Sequence, residues 1–336
     1  MVPYYLLLVG GPDEIPFSVQ HQLAAQHAVG RLSFPDPESY ARYAENVVAA
    51  ETTGRLRHPL RLNLFGPRHD RASKLSVDLL VNPLADALSA ESDRWRTTRN
   101  VAADATKEVL VNCLSGPDRP DILLTVSHGI GFPSGHPDQI AAQGALICQD
   151  WPGPGHGPVQ PGHLFRAADV AALPDADLTG MVALLFACFG AGTPAVDGFP
   201  AGSEPSRPLA PVPFVAALPQ ALLGRPGGAL AVIGHVDRAW SYSFRWPGVG
   251  RQTEVFRSTL ARLGAGQRVG HAFEVLADRH AELATELGDA FQDLQRGRRL
   301  ADDALSELWT AYADARGYLV LGDPAARISG SPEEIR

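Results

Sequence analysis

Cysteine is scarce in this chain of 336 residues, which has only three thiols, Cys113, Cys148 and Cys188. Thiols so few and so scattered exclude a disulfide framework and a cysteine-based zinc cluster. An odd number of thiols is typical of a reducing compartment. We therefore expect the protein in the cytoplasm.

Long apolar runs are missing as well, since no stretch approaches the roughly 18 to 20 apolar residues that span a bilayer. The opening apolar run, residues 4–9, lacks a basic start and a small-residue cleavage site, and it leads directly into Gly10 and Gly11. This pattern predicts a buried strand rather than a signal peptide. We expect no contact with a membrane.

Lysine is also scarce, so arginine carries almost all of the positive charge. Lys74 and Lys107 are the only lysines, and the formal net charge is −8. Such a balance provides no electrostatic attraction to nucleic acid or to an anionic membrane. We expect neither as a partner.

What the chain does have is the composition of a globular protein, with 45% apolar and 20% charged residues. Short apolar runs bounded by turn residues predict strands at residues 4–9, 60–65, 122–126, 182–187, 229–233 and 318–321. The intervening patterns predict helices at residues 37–51, 72–90, 102–114, 212–223, 252–263 and 270–314, the last broken near 287–288 or 296–298. This alternation predicts an α/β fold with a mainly parallel central sheet and helices on both faces.

Two long segments, residues 129–162 and 189–211, are rich in Gly and Pro and match neither pattern. Loops of this length within a compact domain are usually functional. Each of them follows a predicted strand, at the edge where open parallel sheets form their binding sites. We therefore expect the functional site at this edge.

Reactive side chains stand at the two strand ends that precede these segments, His128 followed by Gly129 and Cys188 followed two residues later by Gly190. A cysteine attacks as a thiolate, and a neighbouring histidine exchanges the proton. The glycines let a substrate carbonyl approach backbone N–H groups, which are donors for an oxyanion. A single cysteine is more often core packing, but two such strand ends together favour catalysis.

A strand ending in His-Gly followed by a strand ending in Ala-Cys-x-Gly resembles the clan CD cysteine peptidases, which include caspases, gingipains, separases and CHAT peptidases. The His-before-Cys order also matches this clan, although the separation here is longer, with the extra length in residues 133–161. Residues 5–16, the Gly30-Arg31-Leu32 turn, and the Leu-Gly-Asp-Pro sequence at 321–324 resemble the two ends of gingipain-like domains.

The resemblance implies a caspase-like three-layer sandwich and a role for each matching residue. Cys188 would be the nucleophile that forms a thioester, and His128 the general acid and base. The backbone N–H groups of Gly129 and Cys188 would form the oxyanion hole, and no third carboxylate and no cofactor is expected. We expect a small gingipain-like N-terminal region at residues 1–55, the peptidase domain at 56–328 and a tail at 329–336.

Substrate preference is carried by residues 234–244, where related enzymes form the pocket for the residue before the scissile bond. Asp237 would select a basic residue there, whereas the adjacent Arg238 would select an acidic one. An exposed ion pair between these two residues is an equally good interpretation. Trp240 is a further candidate for lining the substrate cleft, although core packing would explain it as well.

Other functions compete with this one. Histidines 128, 136, 156 and 163 crowd one region, but their spacing matches no metal-ligand motif, and we expect no metal. A catalytically silent caspase-like scaffold in a signalling assembly and an acyl transferase with the same dyad remain alternatives. We expect a regulated endopeptidase acting on a protein or peptide substrate, with a regulatory partner protein and a role in bacterial defence signalling.

Overall fold

A computed structural model describes residues 3–53, 59–173, 176–198, 207–246, 250–298 and 301–328. The strands, in chain order, are β1 Tyr5–Val9, β2 Ala28–Leu32, β3 Leu60–Gly66, β4 Trp95–Val101, β5 Ile122–Val126, β6 Leu146–Ile147, β7 Leu164–Phe165, β8 Val182–Phe186, β9 Gly192–Thr193, β10 Phe214–Val215, β11 Ala231–His235, β12 Arg245–Trp246, β13 Gly250–Arg251 and β14 Tyr318–Gly322.

The described residues form one eight-stranded sheet in the order β1-β2-β14-β11-β8-β5-β3-β4. All neighbouring strands are parallel except β11 and β14, which are antiparallel. The register places Val126 of β5 opposite Phe186 of β8. The carboxyl ends of β3, β5, β8 and β11 therefore lie side by side at one edge of the sheet.

The helices are α1 Phe17–Leu23, α2 Pro37–Thr53, α3 Arg71–Ser76, α4 Asn82–Ser89, α5 Lys107–Ser115, α6 Gln139–Ala142, α7 Ala167–Ala171, α8 Ala217–Gly224, α9 Glu254–Gly264, α10 Val269–Gln295 and α11 Asp302–Gly317. A π-helical turn at Val77–Val81 joins α3 to α4, and 3-10 turns occur at Ala102–Asp104, Pro161–His163 and Ser241–Ser243. No helix in the described ranges combines the length and the apolar character needed to cross a bilayer.

Helices cover both faces of the sheet because alternate residues of each central strand point to opposite sides. In β5, Ile122 and Leu124 belong to an apolar cluster with α4, α9 and α10, whereas Leu123 belongs to a second cluster with α5, α7 and α8. A strand buried on both faces has an almost continuous apolar sequence. The predicted arrangement of a mainly parallel sheet between two helical layers is confirmed.

All six predicted strands are present in the eight-stranded sheet, and two further strands of that sheet were missed, as were the short strands of the three two-stranded sheets. The predicted turn at Gly30-Arg31-Leu32 is wrong, because these residues lie in β2, inside the sheet. The Arg31 guanidinium is buried there because it donates hydrogen bonds to the carbonyl oxygens of Gly10 and Ile15. The other missed strand of this sheet, β4, is a polar edge strand without an apolar run.

The helix predictions differ from the structure mainly at their ends. The segment predicted at 102–114 begins as a 3-10 turn, and its α-helix starts at Lys107, after the Thr106 cap. The long C-terminal segment is broken after Gln295 and remains helical through residues 287–288. Strands β1 and β2 extend the same sheet as the later strands, and the domain boundaries at 55 and 328 stay predictions.

Candidate active site

The predicted catalytic residues lie at the carboxyl ends of two adjacent strands. His128 and Cys188 each follow, by two residues, one member of the paired positions Val126 and Phe186. The backbone N–H of Ser127 donates to the carbonyl oxygen of Phe186 (3.1 Å), which continues the strand pairing to the point where both chains turn. Both side chains line the same cleft.

The Cys188 thiol contacts the segment that follows β11. The backbone N–H of Ala239 lies 3.4 Å from Sγ, and the Ala239 carbonyl oxygen lies 3.8 Å from it. Burial raises the pKa of the Cys188 thiol, and the carboxylates of Asp314 and Asp237 add to this effect. Cys188 at rest is therefore a neutral thiol, and a thiol has to lose its proton before it can act as a nucleophile.

The residue after the cysteine has a strained backbone. Phe189 has a φ of 59°, which is uncommon for a residue with a side chain. Its N–H donates to the carbonyl oxygen of Asp237 (2.6 Å), and this bond holds the conformation. The chain thus turns sharply just after Cys188, and such strain is concentrated at functional sites.

An aspartate that the sequence analysis did not select contacts the histidine. The Nε2 atom of His128 lies 3.0 Å from Oδ2 of Asp70, and both side chains are about 30% exposed, at 32% and 29%. With Nε2 donating to the carboxylate, Nδ1 is the nitrogen that remains for proton exchange. Among the described residues, the side chains of His128 and Cys188 form no hydrogen bond to each other.

Local structure fixes the position of Asp70. It caps α3, and its Oδ1 accepts hydrogen bonds from the N–H (2.9 Å) and the hydroxyl (2.8 Å) of Ser73. Partial burial acts to raise the pKa of Asp70, but the bonds from Ser73 and the nearby His128 outweigh it and lower the pKa to about 2. Asp70 is therefore a carboxylate at neutral pH.

A sequence signal for Asp70 did exist. Asp70 and Ser73 have the spacing of a capping box at the start of a helix. They also follow β3, which is the neighbour of β5 in the sheet. Only the strand order shows that this cap lies beside His128.

The backbones of Gly129 and Cys188, which form the predicted oxyanion hole, lie in close contact. A Cβ atom at Gly129 would collide with the carbonyl oxygen of Cys188, so only glycine fits there. Among the described residues, the N–H groups of Gly129 and Cys188 donate to no other group. Two neighbouring backbone donors, one at the residue after His128 and one at Cys188, match the requirement for binding an oxyanion.

The three predicted substrate-binding residues are divided between two cavities. Arg238 and Trp240 line the cleft that contains His128 and Cys188. Asp237 instead lines a separate cavity of about 140 Å³. The backbone of Asp237 has a positive φ of 78°, which is uncommon for a residue with a side chain. Burial raises the pKa of the Asp237 carboxyl.

Arg238 forms its ion pair with a residue other than the adjacent Asp237. Its two terminal nitrogens lie 3.1 and 2.5 Å from the two carboxylate oxygens of Asp197, whose side chain is 6% exposed. Asp237 accepts a hydrogen bond from the backbone N–H of Arg238 (2.8 Å). The interpretation of residues 237 and 238 as an exposed ion pair at a strand end does not match this geometry.

A buried polar network fixes the segment after β11, which contributes Trp240 to the cleft. Asp314 accepts hydrogen bonds from the N–H of Trp240 (2.8 Å) and from the hydroxyl of Ser243 (2.7 Å). Tyr318 donates to the same hydroxyl (2.9 Å). Burial raises the pKa of Asp314 to about 7 despite these bonds.

The cleft has a volume of about 300 Å³. It lies between the start of α3, the ends of β5 and β8, and the segment after β11, and it is lined by Ala72, Ser73, Leu75, Ser76, Val126, Ser127, His128, Phe186, Cys188, Arg238, Ala239, Trp240 and Ser241. Across the described ranges, no group of three or more His, Cys, Asp or Glu side chains is placed to hold a metal ion.

No protein-family model matches the sequence, and no curated protein matches it. Among solved structures, the Arg-specific cysteine proteinase gingipain R is similar with a TM-score of 0.52 and 13% identity, over 96% of this chain and 64% of that chain. A complex of the RgpB pro- and mature domains of Porphyromonas gingivalis gives a TM-score of 0.55 and 13% identity, over 97% of this chain and 67% of that chain. A structure described only as a protease is similar with a TM-score of 0.53 and 14% identity, over 97% of this chain and 64% of that chain.

These similarities show the fold. The described chain has the caspase-like α/β fold of gingipain R, and the predicted fold class is confirmed. The chain spans less than two thirds of the first of these structures, 64% of its length.

Proposed function

We propose that this protein is a cysteine endopeptidase in which Cys188 and His128 hydrolyse peptide bonds through a thioester acyl-enzyme. The observation that supports this most directly is that the two side chains line one cleft at adjacent strand ends of a gingipain-like fold. A cysteine and a histidine on opposite sides of a substrate carbonyl can supply a nucleophile and a proton.

Acylation begins when the thiol proton passes to Nδ1 of His128, since burial keeps Cys188 protonated at rest. Sγ forms a bond to the scissile carbonyl carbon, and the carbonyl oxygen becomes an oxyanion. His128 donates a proton to the leaving nitrogen, the C–N bond breaks, and a thioester remains. Water then attacks this thioester while His128 accepts its proton. The acid product leaves as the C–S bond breaks, and the proton returns from His128 to Sγ.

Asp70 acts through His128 rather than on the substrate. Its carboxylate, 3.0 Å from Nε2, fixes the orientation of the ring and stabilises the imidazolium that forms when His128 takes a proton. The charge is available because the pKa of Asp70 is lowered to about 2. The predicted dyad is therefore extended by a positioning residue.

The oxyanion is stabilised by the backbone N–H groups of Gly129 and Cys188. These two donors lie next to each other because Gly129 packs directly on the Cys188 backbone. Donors that are fixed before the reaction stabilise the developing charge without having to reorganise.

Labelling of Cys188 tests the proposal. A peptide with an electrophilic warhead should modify Cys188 and no other thiol, as seen by mass spectrometry of the intact protein and its fragments. Cys188→Ala should abolish both labelling and cleavage of a protein substrate, while Cys113→Ala, a control thiol outside the cleft, should change neither. A silent scaffold would leave Cys188 unlabelled, and an acyl transferase would give a transfer product in place of the free acid.

Regulation, location and context are further parts of this proposal. One of the similar structures is a complex of pro- and mature domains, which supports a protein partner or segment that covers the cleft. A cytoplasmic location and a role in bacterial defence signalling rest on the sequence resemblance and composition alone. Cleavage sites mapped after overexpression would show whether self-cleavage in residues 129–162 or 189–211 contributes to control.

A further inference from the structure

The cleft wall beside Cys188 is mainly apolar. Phe186, two residues before the nucleophile, packs edge-to-face on Phe244, with ring centroids 5.6 Å apart and an interplanar angle of 70°. Leu75 and Val126 line the same cleft, as do Trp240 and Ala239, whose N–H lies 3.4 Å from Sγ of Cys188. The floor is fixed because Phe186 belongs to the sheet and to its apolar core.

We propose that this cleft binds an uncharged, apolar side chain at the residue before the scissile bond, such as leucine, methionine or phenylalanine. The inference rests on the proposed peptidase function and names its substrate class. A cleft of about 300 Å³ is at the lower limit for ligand pockets and suits a single side chain rather than an extended ligand.

A basic side chain would find no carboxylate in the cleft. Among the described residues that line it, none is Asp or Glu. Asp237 lines a different cavity, and Asp70 already accepts bonds from Ser73 and His128. A lysine or arginine would therefore lose its hydration without gaining a counter-charge.

An acidic side chain would meet Arg238, but that guanidinium is already neutralised. Both of its terminal nitrogens bind the buried carboxylate of Asp197. Recruiting Arg238 to a substrate would break this bidentate ion pair with a buried carboxylate, which is costly. The apolar wall is then the main source of selectivity.

The test is a set of fluorogenic peptides that differ only in the residue before the reporter: Leu, Met, Phe, Arg, Lys, Asp or Glu. We expect kcat/KM for the apolar members to exceed that for every charged member by at least about 100-fold. Preference for Arg or Lys, or for Asp or Glu, would overturn the proposal. The same peptides carrying warheads give a second readout, which is the rate of Cys188 labelling.

A charge placed in the cleft should reverse the preference. Ser76 lines the cleft, and its hydroxyl donates to the carbonyl oxygen of Ala72 within α3. Ser76→Asp should raise kcat/KM for the Arg peptide relative to the Leu peptide by about 10-fold or more. Ser115→Asp is the matched control, a helical serine with the same four-residue hydrogen bond outside the cleft, and should leave the ratio unchanged.

The two possible failures are distinguishable. If only charged peptides are cleaved or label Cys188, the apolar pocket is wrong and the peptidase function stands. If Ser76→Asp and Ser115→Asp change the ratio equally, the cleft does not contact that residue of the substrate, and the proposal fails. If no peptide is cleaved and no warhead modifies Cys188, the peptidase function and the pocket both fail.

Discussion

The Asp70 carboxylate lies 3.0 Å from Nε2 of His128, across the ends of two neighbouring parallel strands. The histidine is thereby held by a residue 58 positions earlier in the chain. The same carboxylate caps α3. Asp70 therefore has a structural role in the helix as well as the proposed role of positioning His128.

Asp70→Asn should lower kcat by about 10- to 1000-fold with little change in KM, because the charge that stabilises the His128 imidazolium is lost. Asparagine is as good a helix cap as aspartate, so the fold should be kept. Asp78→Asn, which removes an exposed carboxylate in the adjacent π-helical turn, is the control and should retain full activity. Equal kinetics for the wild type and Asp70→Asn would show that Asp70 is only a cap.

Gly129→Ala should abolish activity and lower stability by about 1 to 3 kcal/mol, since its Cβ would collide with the Cys188 carbonyl and displace both oxyanion donors. Gly131→Ala is the matched control, because its Cβ would only touch the Phe189 ring at 3.4 Å. The measurements are peptide cleavage and thermal unfolding. An active Gly129→Ala variant would contradict the close approach of the two backbones.

Asp314→Asn should change how stability depends on pH. The pKa of Asp314 is about 7 in the folded protein and about 4 in an unfolded chain. Ionisation therefore opposes folding above pH 7, and this cost declines as the pH falls toward 4. The free energy of unfolding of the variant minus that of the wild type should therefore increase between pH 4 and pH 8, by on the order of 1 to 4 kcal/mol.

Urea unfolding at several pH values measures this difference. Asp289→Asn, at an exposed position of α10, is the control and should give the same effect at every pH. A pH-independent effect of Asp314→Asn would mean that Asp314 is ionised in the folded protein. The same variant reports on the cleft, since Asp314 holds the N–H of Trp240.

Arg238→Gln should lower stability by about 1 to 3 kcal/mol, because the buried Asp197 loses its bidentate partner. Arg257→Gln, which removes an exposed ion pair with Glu91, should cost less than about 0.5 kcal/mol. The ratio of cleavage between apolar and acidic peptides should change less than threefold in either variant, as expected if Arg238 serves structure. Loss of cleavage of acidic peptides alone would instead assign Arg238 to substrate recognition.

The sequence was most informative where the signal was local. The apolar runs ending at Val126 and Phe186 identified two buried strands, and the residues that follow them identified His128 and Cys188 as candidates. Strand β2 was missed because a buried arginine looks like a surface residue until its hydrogen-bond partners are known. Strand β4 was missed because a polar edge strand has no apolar signal.

The sequence by itself determined the kinds of elements and the reactive side chains at their ends, because periodicity and strand-end glycines depend on neighbours along the chain. Only the tertiary structure decided which strand ends are adjacent, since pairing between distant strands depends on hydrogen bonds that no local pattern encodes. That lateral order brought Asp70 to His128 and placed Arg238, but not Asp237, in the cleft with Cys188.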